Sequence, residues 1–259
     1  MRRAALAAVI VAAALPAAAR AQPPVGIVRP NNEAGLTPAQ LGAQLYAGNC
    51  ASCHGVDGSG ISTPRPGAGV QGAGPPLRGV GARAADFYLR TGYMPLSRPD
   101  EQPTRSPPSF DDRETRALID FVAGLAPGPP IPKVAPEQGN LAQGQRMFTE
   151  HCAGCHQVVA QGGVVTGARV PPLQDATPVQ IAQAVRTGPY LMPRFSPRQI
   201  SRQQLNSIIA YVLTTRHPSD RGGWGIGNVG PVPEGMVTWL LAAVVLVAVC
   251  RMIGKRVRG

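Results

Sequence analysis

The 259 residues carry 25 Lys and Arg against 14 Asp and Glu, a formal net charge of +11 with a pI near 10.3. The surplus is uneven: residues 22–128 hold nine basic and nine acidic side chains, residues 133–220 hold eight against four, and the remainder sits at the two chain ends. That distribution excludes a basic surface built for nucleic acid and predicts different electrostatic steering at two parts of the chain.

The chain opens with Met1-Arg2-Arg3 and the apolar run Ala4–Ala19, and Ala19-Arg20-Ala21 has the small-x-small form of a signal peptidase site. This predicts a signal peptide over 1–21 and a mature start near Gln22. Helix signals begin at Leu36: Thr37 and Gln40 have capping-box spacing and Pro38 falls at the first helical position. Directly after comes Cys50-Ala51-Ser52-Cys53-His54. C-x-x-C-H reads as covalent c-type haem attachment, in which two thiols add across the haem vinyl groups and the His turns its ring onto the iron. A Gly/Pro-rich stretch follows, containing Pro75-Pro76-Leu77, then a short helical segment over Asp86–Arg90 that ends in Thr91-Gly92. Each such Gly suits a helix C-cap. Met94-Pro95 lies just beyond. The irregular Ser97–Pro108 stretch reads as a solvated loop or a partner-docking insertion. An amphipathic helix over Arg113–Leu125 closes the unit with Leu118, Ile119, Phe121, Val122 and Leu125 at helical spacing.

A Pro-rich, stiff connector at 129–136 leads to the same order again. Asn140 can cap a helix carrying Leu141, Gly144, Met147 and Phe148, and Cys152-Ala153-Gly154-Cys155-His156 stands 102 residues after the first motif. Glycines at 162–167 read, like those at 55–81, as loop backbone wrapped round a haem edge. Pro171-Pro172-Leu173, a helix over Val179–Arg186, Thr187-Gly188, Met192-Pro193 and a helix over Arg202–Leu213 complete the repeat. A zinc site would need a tetrahedral ligand set, and a thioredoxin-like pair a βαβ context; the spacings give neither. Four of the five cysteines are thereby used, leaving Cys250 as a packing residue. Met94 and Met192 lie 44 and 40 residues beyond the first Cys of their units, in Pro-flanked loops, whereas Met147 reads as core filler. His151 reads as a polar residue of the attachment helix and His217 as a solvated loop residue. Asp57 and Asp175 lack partners for acid–base work, and no catalytic constellation or phosphate-binding glycine loop stands anywhere in the chain.

Residues 221–235 form a Gly-rich tether. From Met236 to Cys250 the chain is apolar except for Thr238, and through Ile253 it gives 18 residues, about 27 Å of helix, enough to cross a hydrocarbon core. The span is placed at 236–254, with Trp239 near its outer end and a basic tail at 255–259. Arg251, Lys255, Arg256 and Arg258 mark the cytoplasmic side, so the preceding domains face outward from a single-pass anchor in membrane lipid.

Helix, C-x-x-C-H, loop, short helix, Met-Pro loop and closing helix together resemble the small class I cytochrome c fold, present twice, over residues 36–126 and 137–216. The fold class expected is therefore all-α: two tandem class I cytochrome c domains (22–128 and 137–220) plus one C-terminal transmembrane helix. The resemblance implies His54 with Met94, and His156 with Met192, as the axial iron pairs. A Met opposite imidazole raises the reduction potential. The string Arg221–Gly235, with two haem c domains before it and a span after it, resembles the dihaem cytochrome c subunit (cytochrome cc) of actinobacterial-type quinol–cytochrome c reductases (cytochrome bc complexes). That resemblance implies two covalently bound haem c groups. It also implies a cytochrome b subunit, a Rieske iron–sulfur protein and a haem–copper cytochrome c oxidase as partners. Electrons would pass from the Rieske cluster to the first haem (Cys50, Cys53, His54, Met94), then to the second (Cys152, Cys155, His156, Met192), then to the oxidase copper centre. Enzymatic status would then belong to the assembly, with quinol oxidation in other subunits. The same motifs would serve the electron-acceptor cytochrome c subunit of a periplasmic dehydrogenase. A haem sensor is a third class, but it needs only one labile site, whereas both units carry a Met-Pro loop.

Overall fold

Five of the nine α-helices among the described residues begin where a side chain closes the first turn. A computed structural model describes residues 26–62, 73–96, 102–216 and 231–257. The expected signal peptide, residues 97–101 of the irregular stretch, His217, residues 221–230 of the tether and the last two residues of the tail lie outside them. Helix α1 (Pro38–Asn49) opens with the Thr37/Gln40 capping box and Pro38 in its first turn. It passes straight into α2 (Ala51–His54), the turn that carries the first motif. Helix α3 spans Gly81–Arg90, starting five residues before the expected Asp86. No side chain caps it; instead Arg83 N donates to Pro129 O at 3.1 Å, so tertiary contact with the connector sets its start. Helix α4 (Asp112–Gly124) starts on an Asp111/Glu114 capping box.

In the second unit α5 (Leu141–His151) is capped by Asn140, and α6 (Ala153–His156) carries the second motif. The glycines at 162–167, expected as plain loop, fall in a short antiparallel hairpin, β1 (Gly163–Val165) and β2 (Ala168–Val170), with Gly163 opposite Val170. With an isolated bridge between Ile61 and Gly74 in the first unit it makes up the β-structure among the described residues, and each strand is too short to show an alternating pattern. Helices α7 (Pro178–Thr187) and α8 (Arg202–Thr214) begin on Thr177/Gln180 and Ser201/Gln204 capping boxes.

The chain divides into two compact units, 1–131 and 132–259, the break falling inside the Pro-rich connector. In the first, Leu41, Leu45 and Tyr46 of α1 pack with Ala117, Leu118 and Val122 of α4 and with Ala85 and Leu89 of α3. In the second, Phe148 of α5 packs with Ile181, Ala182 and Val185 of α7 and with Leu205, Ile208, Ile209 and Val212 of α8. Both helix crossings depend on a glycine. A methyl group on Gly42 would overlap the Ala117 carbonyl oxygen, and one on Gly144 would overlap that of Ser207. Each end of the connector is bonded into its own unit: Pro129 as above, and Ala135 through its N–H to Asn206 Oδ1 at 3.1 Å.

Helix α9 runs from Pro231 to Val257, so the last five tether residues are helical, with Pro231 at a first-turn position that lacks need of an N–H. Its apolar stretch Gly235–Lys255 is 21 residues long and holds an 18-residue window of mean hydropathy 2.4, none of that window buried in protein. At about 1.5 Å per residue that is roughly 30 Å, the thickness of a bilayer core.

Candidate haem sites

The two attachment turns have the same backbone. Cys50 N donates to Tyr46 O at 2.8 Å and His54 N to Cys50 O at 2.9 Å; Cys152 N donates to Phe148 O at 2.8 Å and His156 N to Cys152 O at 2.9 Å. Residues at i, i+3 and i+4 of a helical turn share a face, so each turn presents two sulfurs and an imidazole together. Cys50 and Cys152 pack against the apolar core of their units, Cys53 is half-buried and Cys155 exposed. Burial pushes the Cys50 thiol up to about 12 and the Cys152 thiol up to about 11. Burial therefore disfavours the thiolate that a cysteine-ligated metal ion would need. Among the described residues no three His, Cys, Asp or Glu side chains converge as a metal-binding set.

Both histidines are buried, each 8% exposed. His54 Nδ1 lies 2.8 Å from Pro75 O, and His156 Nδ1 lies 3.2 Å from Pro171 O. A carbonyl oxygen only accepts, so the ring proton sits on Nδ1 and the lone pair on Nε2 is left for iron. Desolvation holds His156 below the usual imidazole range, although the Pro171 bond opposes it, and this favours the neutral ligand form. The donor set therefore fits a covalently held haem: paired sulfurs, an oriented imidazole, and apolar walls. Pro75 and Pro171 are the first residues of the two Pro-Pro-Leu strings, whose recurrence was visible in the sequence while their role as carbonyl acceptors was not. Leu77 and Leu173, the third residues, pack into the two cores. Their N–H groups donate to Gly58 O at 2.8 Å and to Ala160 O at 2.9 Å.

Met94 and Met192 sit half-buried in the loops that leave α3 and α7. Met94 N donates to Tyr88 O at 3.2 Å, Met192 N to Pro189 O at 3.0 Å, and Met192 packs against the core of its unit. Met147 also packs there, as core filler should. His151 lies on the surface, its ring 5.9 Å from that of Phe195. Asp57 accepts from Ser59 N at 3.1 Å and pairs with Arg78 at 3.3 Å, a turn-stabilising arrangement rather than an acid–base one. Cys250 is exposed on α9.

One tyrosine in each unit ties down the segment after the motif, from opposite helices. Tyr46 of α1 stacks on Phe121 of α4 at 4.7 Å and donates to Gly55 O at 2.8 Å. In the second unit the phenylalanine is Phe148 on α5, and Tyr211 of α8 donates to Val158 O at 2.8 Å.

Residues 39–126 match the family described as Cytochrome c, and residues 139–212 match Cytochrome C oxidase, cbb3-type, subunit III. The chain is 35% identical over 235 residues to a Corynebacterium diphtheriae protein named cytochrome bc1 complex cytochrome c subunit, covering 84% of this chain and 80% of that one. A Mycobacterium bovis protein of the same name is 34% identical over 260 residues, covering 97% of this chain and 89% of its own length. The cbb3-type cytochrome c oxidase subunit CcoP of Azospirillum sp. is 29% identical over 190 residues, 66% of this chain and 60% of that protein.

Proposed function

Because the chain belongs to the family of cytochrome c subunits of cytochrome bc1 complexes, and so is an electron-transfer subunit built on cytochrome c domains, we propose that it is a membrane-anchored dihaem relay. It would carry electrons from a Rieske protein to a haem–copper terminal oxidase beside a cytochrome b subunit. The observation that carries this reading is the duplicated attachment turn with its carbonyl-oriented imidazole, in a chain that also holds an apolar helix of membrane length.

In this reading Cys50 and Cys53 hold one haem and Cys152 and Cys155 the other. When bound, each haem supplies a one-electron iron couple. His54 and His156 ligate through Nε2, and the Pro75 and Pro171 carbonyls fix ring orientation and strengthen the donor. Met94 and Met192 would add a thioether ligand to each haem, a donor that favours ferrous iron and raises the potential. The two apolar cores keep water from the ligated side. Helix α9 holds both units at the membrane, outward-facing, with its basic end cytoplasmic. A single span cannot build a quinol-oxidising cytochrome b, so substrate chemistry belongs to other subunits. The match of residues 139–212 to an oxidase subunit family supports delivery to the oxidase from the second unit and receipt at the first.

Mild-detergent extraction of the native membrane, followed by mass spectrometry of what co-purifies, tests the partners. A cytochrome b, a Rieske protein and a copper-containing oxidase subunit are expected. Recovery of a flavin or quinoprotein dehydrogenase in their place would overturn the respiratory role.

A further inference from the structure

Arg90 and Arg186 hold the same place in the two repeats, immediately before Thr91-Gly92 and Thr187-Gly188. Their guanidinium groups do different work. Arg90 faces carboxylates, with Nε 2.8 Å from Asp86 Oδ1 and Nη1 2.8 Å from Asp112 Oδ1. Arg186 is buried, 9% exposed, and donates instead to two main-chain carbonyls: Phe195 O at 3.1 Å from Nη1 and Ile200 O at 2.6 Å from Nη2. Among the described residues no carboxylate lies within ion-pair distance of it.

Burying a guanidinium without a counter-charge is costly unless its hydrogen bonds secure something. What these two bonds secure is the segment that carries Met192. Gly188 ends α7 in the left-handed region, and a Cβ there would stand 2.8 Å from Arg194 N and 2.9 Å from Met192 O. The loop is thus folded tightly back on the helix end. On its outgoing limb Phe195 N donates to Val185 O at 2.9 Å, and Ile200 O lies just before the Ser201 cap of α8. Arg186 reaches both the outgoing limb and the entry to α8, so it closes the loop around Met192 like a clasp. Among the described residues the first unit has no such clasp. Its Met94 loop is followed by the long irregular stretch, whose end is pinned by Ser106, through Oγ to Gly92 O at 2.6 Å and N to Thr91 O at 3.1 Å.

We propose that Arg186 is a positioning residue for Met192, spanning the Phe195 and Ile200 carbonyls so that the Met192 thioether stays on the iron of the second haem, a role that Arg90 does not fill for Met94. The inference rests on the assignment of Met192 as an axial ligand. Loss of the clasp frees the Phe195 and Ile200 carbonyls and loosens the loop, so an external ligand competes better for the iron. The second haem alone responds.

The test uses the full chain carrying both haems, with imidazole as the competing ligand and the near-infrared sulfur-to-iron absorption band as readout. Arg186→Gln is expected to raise imidazole affinity at one haem by about tenfold or more, the scale of one lost charge-assisted hydrogen bond. That haem should be the one whose band Met192→Ala removes. Arg90→Gln should leave imidazole affinity at both haems unchanged. Wild-type affinity in Arg186→Gln, or equal loosening by the two arginine variants, would overturn the clasp. Should Arg186→Gln lose its second haem outright, Arg186→Lys decides, because one ammonium cannot span both carbonyls: raised affinity supports the clasp and wild-type affinity refutes it. If Met192→Ala in an otherwise unchanged chain removes no band, the ligand assignment itself is overturned, a result distinct from either outcome for Arg186.

Discussion

The two cytochrome c units share a frame and differ in what surrounds it. The first is laced at its edge by charge: Arg29 pairs with the buried Glu114 at 2.6 Å, Arg90 with Asp86 and Asp112, and Arg113 reaches the Glu33 and Leu36 carbonyls. The second uses neutral groups and main-chain acceptors at corresponding places. Asn206 and Ser207 side chains accept from Ala135 N and Asn140 N, and Arg186 and Arg216 donate to carbonyls. The difference teaches which features the fold requires. Attachment turn, Pro carbonyl on the imidazole, glycine at the helix crossing and a tyrosine on the following segment occur in both. The edge ion pairs named above belong to the first unit, and the sequence makes that stretch neutral and the second basic, so electrostatic steering differs between them.

The largest effect should come from the crossings. Gly144→Ala places a methyl group deep inside the Ser207 carbonyl contact, and Gly42→Ala does the same less severely at Ala117. Each is expected to destabilise its own unit by about 3 kcal/mol or more, beyond ordinary overpacking because the obstacle is backbone. Denaturant unfolding followed at haem absorbance measures this; a Gly42 variant hurt more than the Gly144 variant would break the comparison.

Next is the charged edge of the first unit. Arg29→Ala takes both guanidinium bonds from the Glu114 carboxylate, 1% exposed, leaving it to the Asp111 N–H and to Glu33 beside it, and should cost the first unit about 1–3 kcal/mol. Burial works against ionising Glu114, but the bonds from Arg29 and from Asp111 N outweigh it and hold its pKa below the ordinary 4.5. A depressed folded pKa contributes stability that is fully present above the unfolded value and lost as pH falls through the folded one. The wild-type first unit should therefore weaken more steeply than its Arg29→Ala variant as pH drops below about 4.5. Parallel acid profiles would remove Glu114 from the account.

The smallest effects should be equal. Tyr46→Phe and Tyr211→Phe each delete one hydrogen bond to a carbonyl, at about 1 kcal/mol apiece, leaving the aromatic pairs intact. A large inequality would show that the exchanged positions of Tyr and Phe are not equivalent.

Much of this architecture was legible because it is written in local rules. Thr37 with Gln40, and Asn140, announced helix starts that the structure places there, and Asp111/Glu114, Thr177/Gln180 and Ser201/Gln204 carry the same signal. Spacing alone put two sulfurs and a histidine on one turn. What escaped depends on partners distant in sequence. The start of α3 at Gly81 follows from contact with Pro129, and the hairpin at 163–170 is too short for a period to appear. Pro75 and Pro171 act through backbone oxygens that side-chain patterns do not reveal. Arg90 and Arg186 look alike in sequence, and only the neighbours that folding brings separate an ion-pair residue from a clasp.

The most direct measurement is the mass of the mature chain under denaturing conditions, with peptide mapping of what it carries. Two haem groups should remain attached, one on the peptide containing Cys50 and Cys53 and one on that containing Cys152 and Cys155. A chain that keeps a single haem, or releases haem on denaturation, would contradict the dihaem relay at its root.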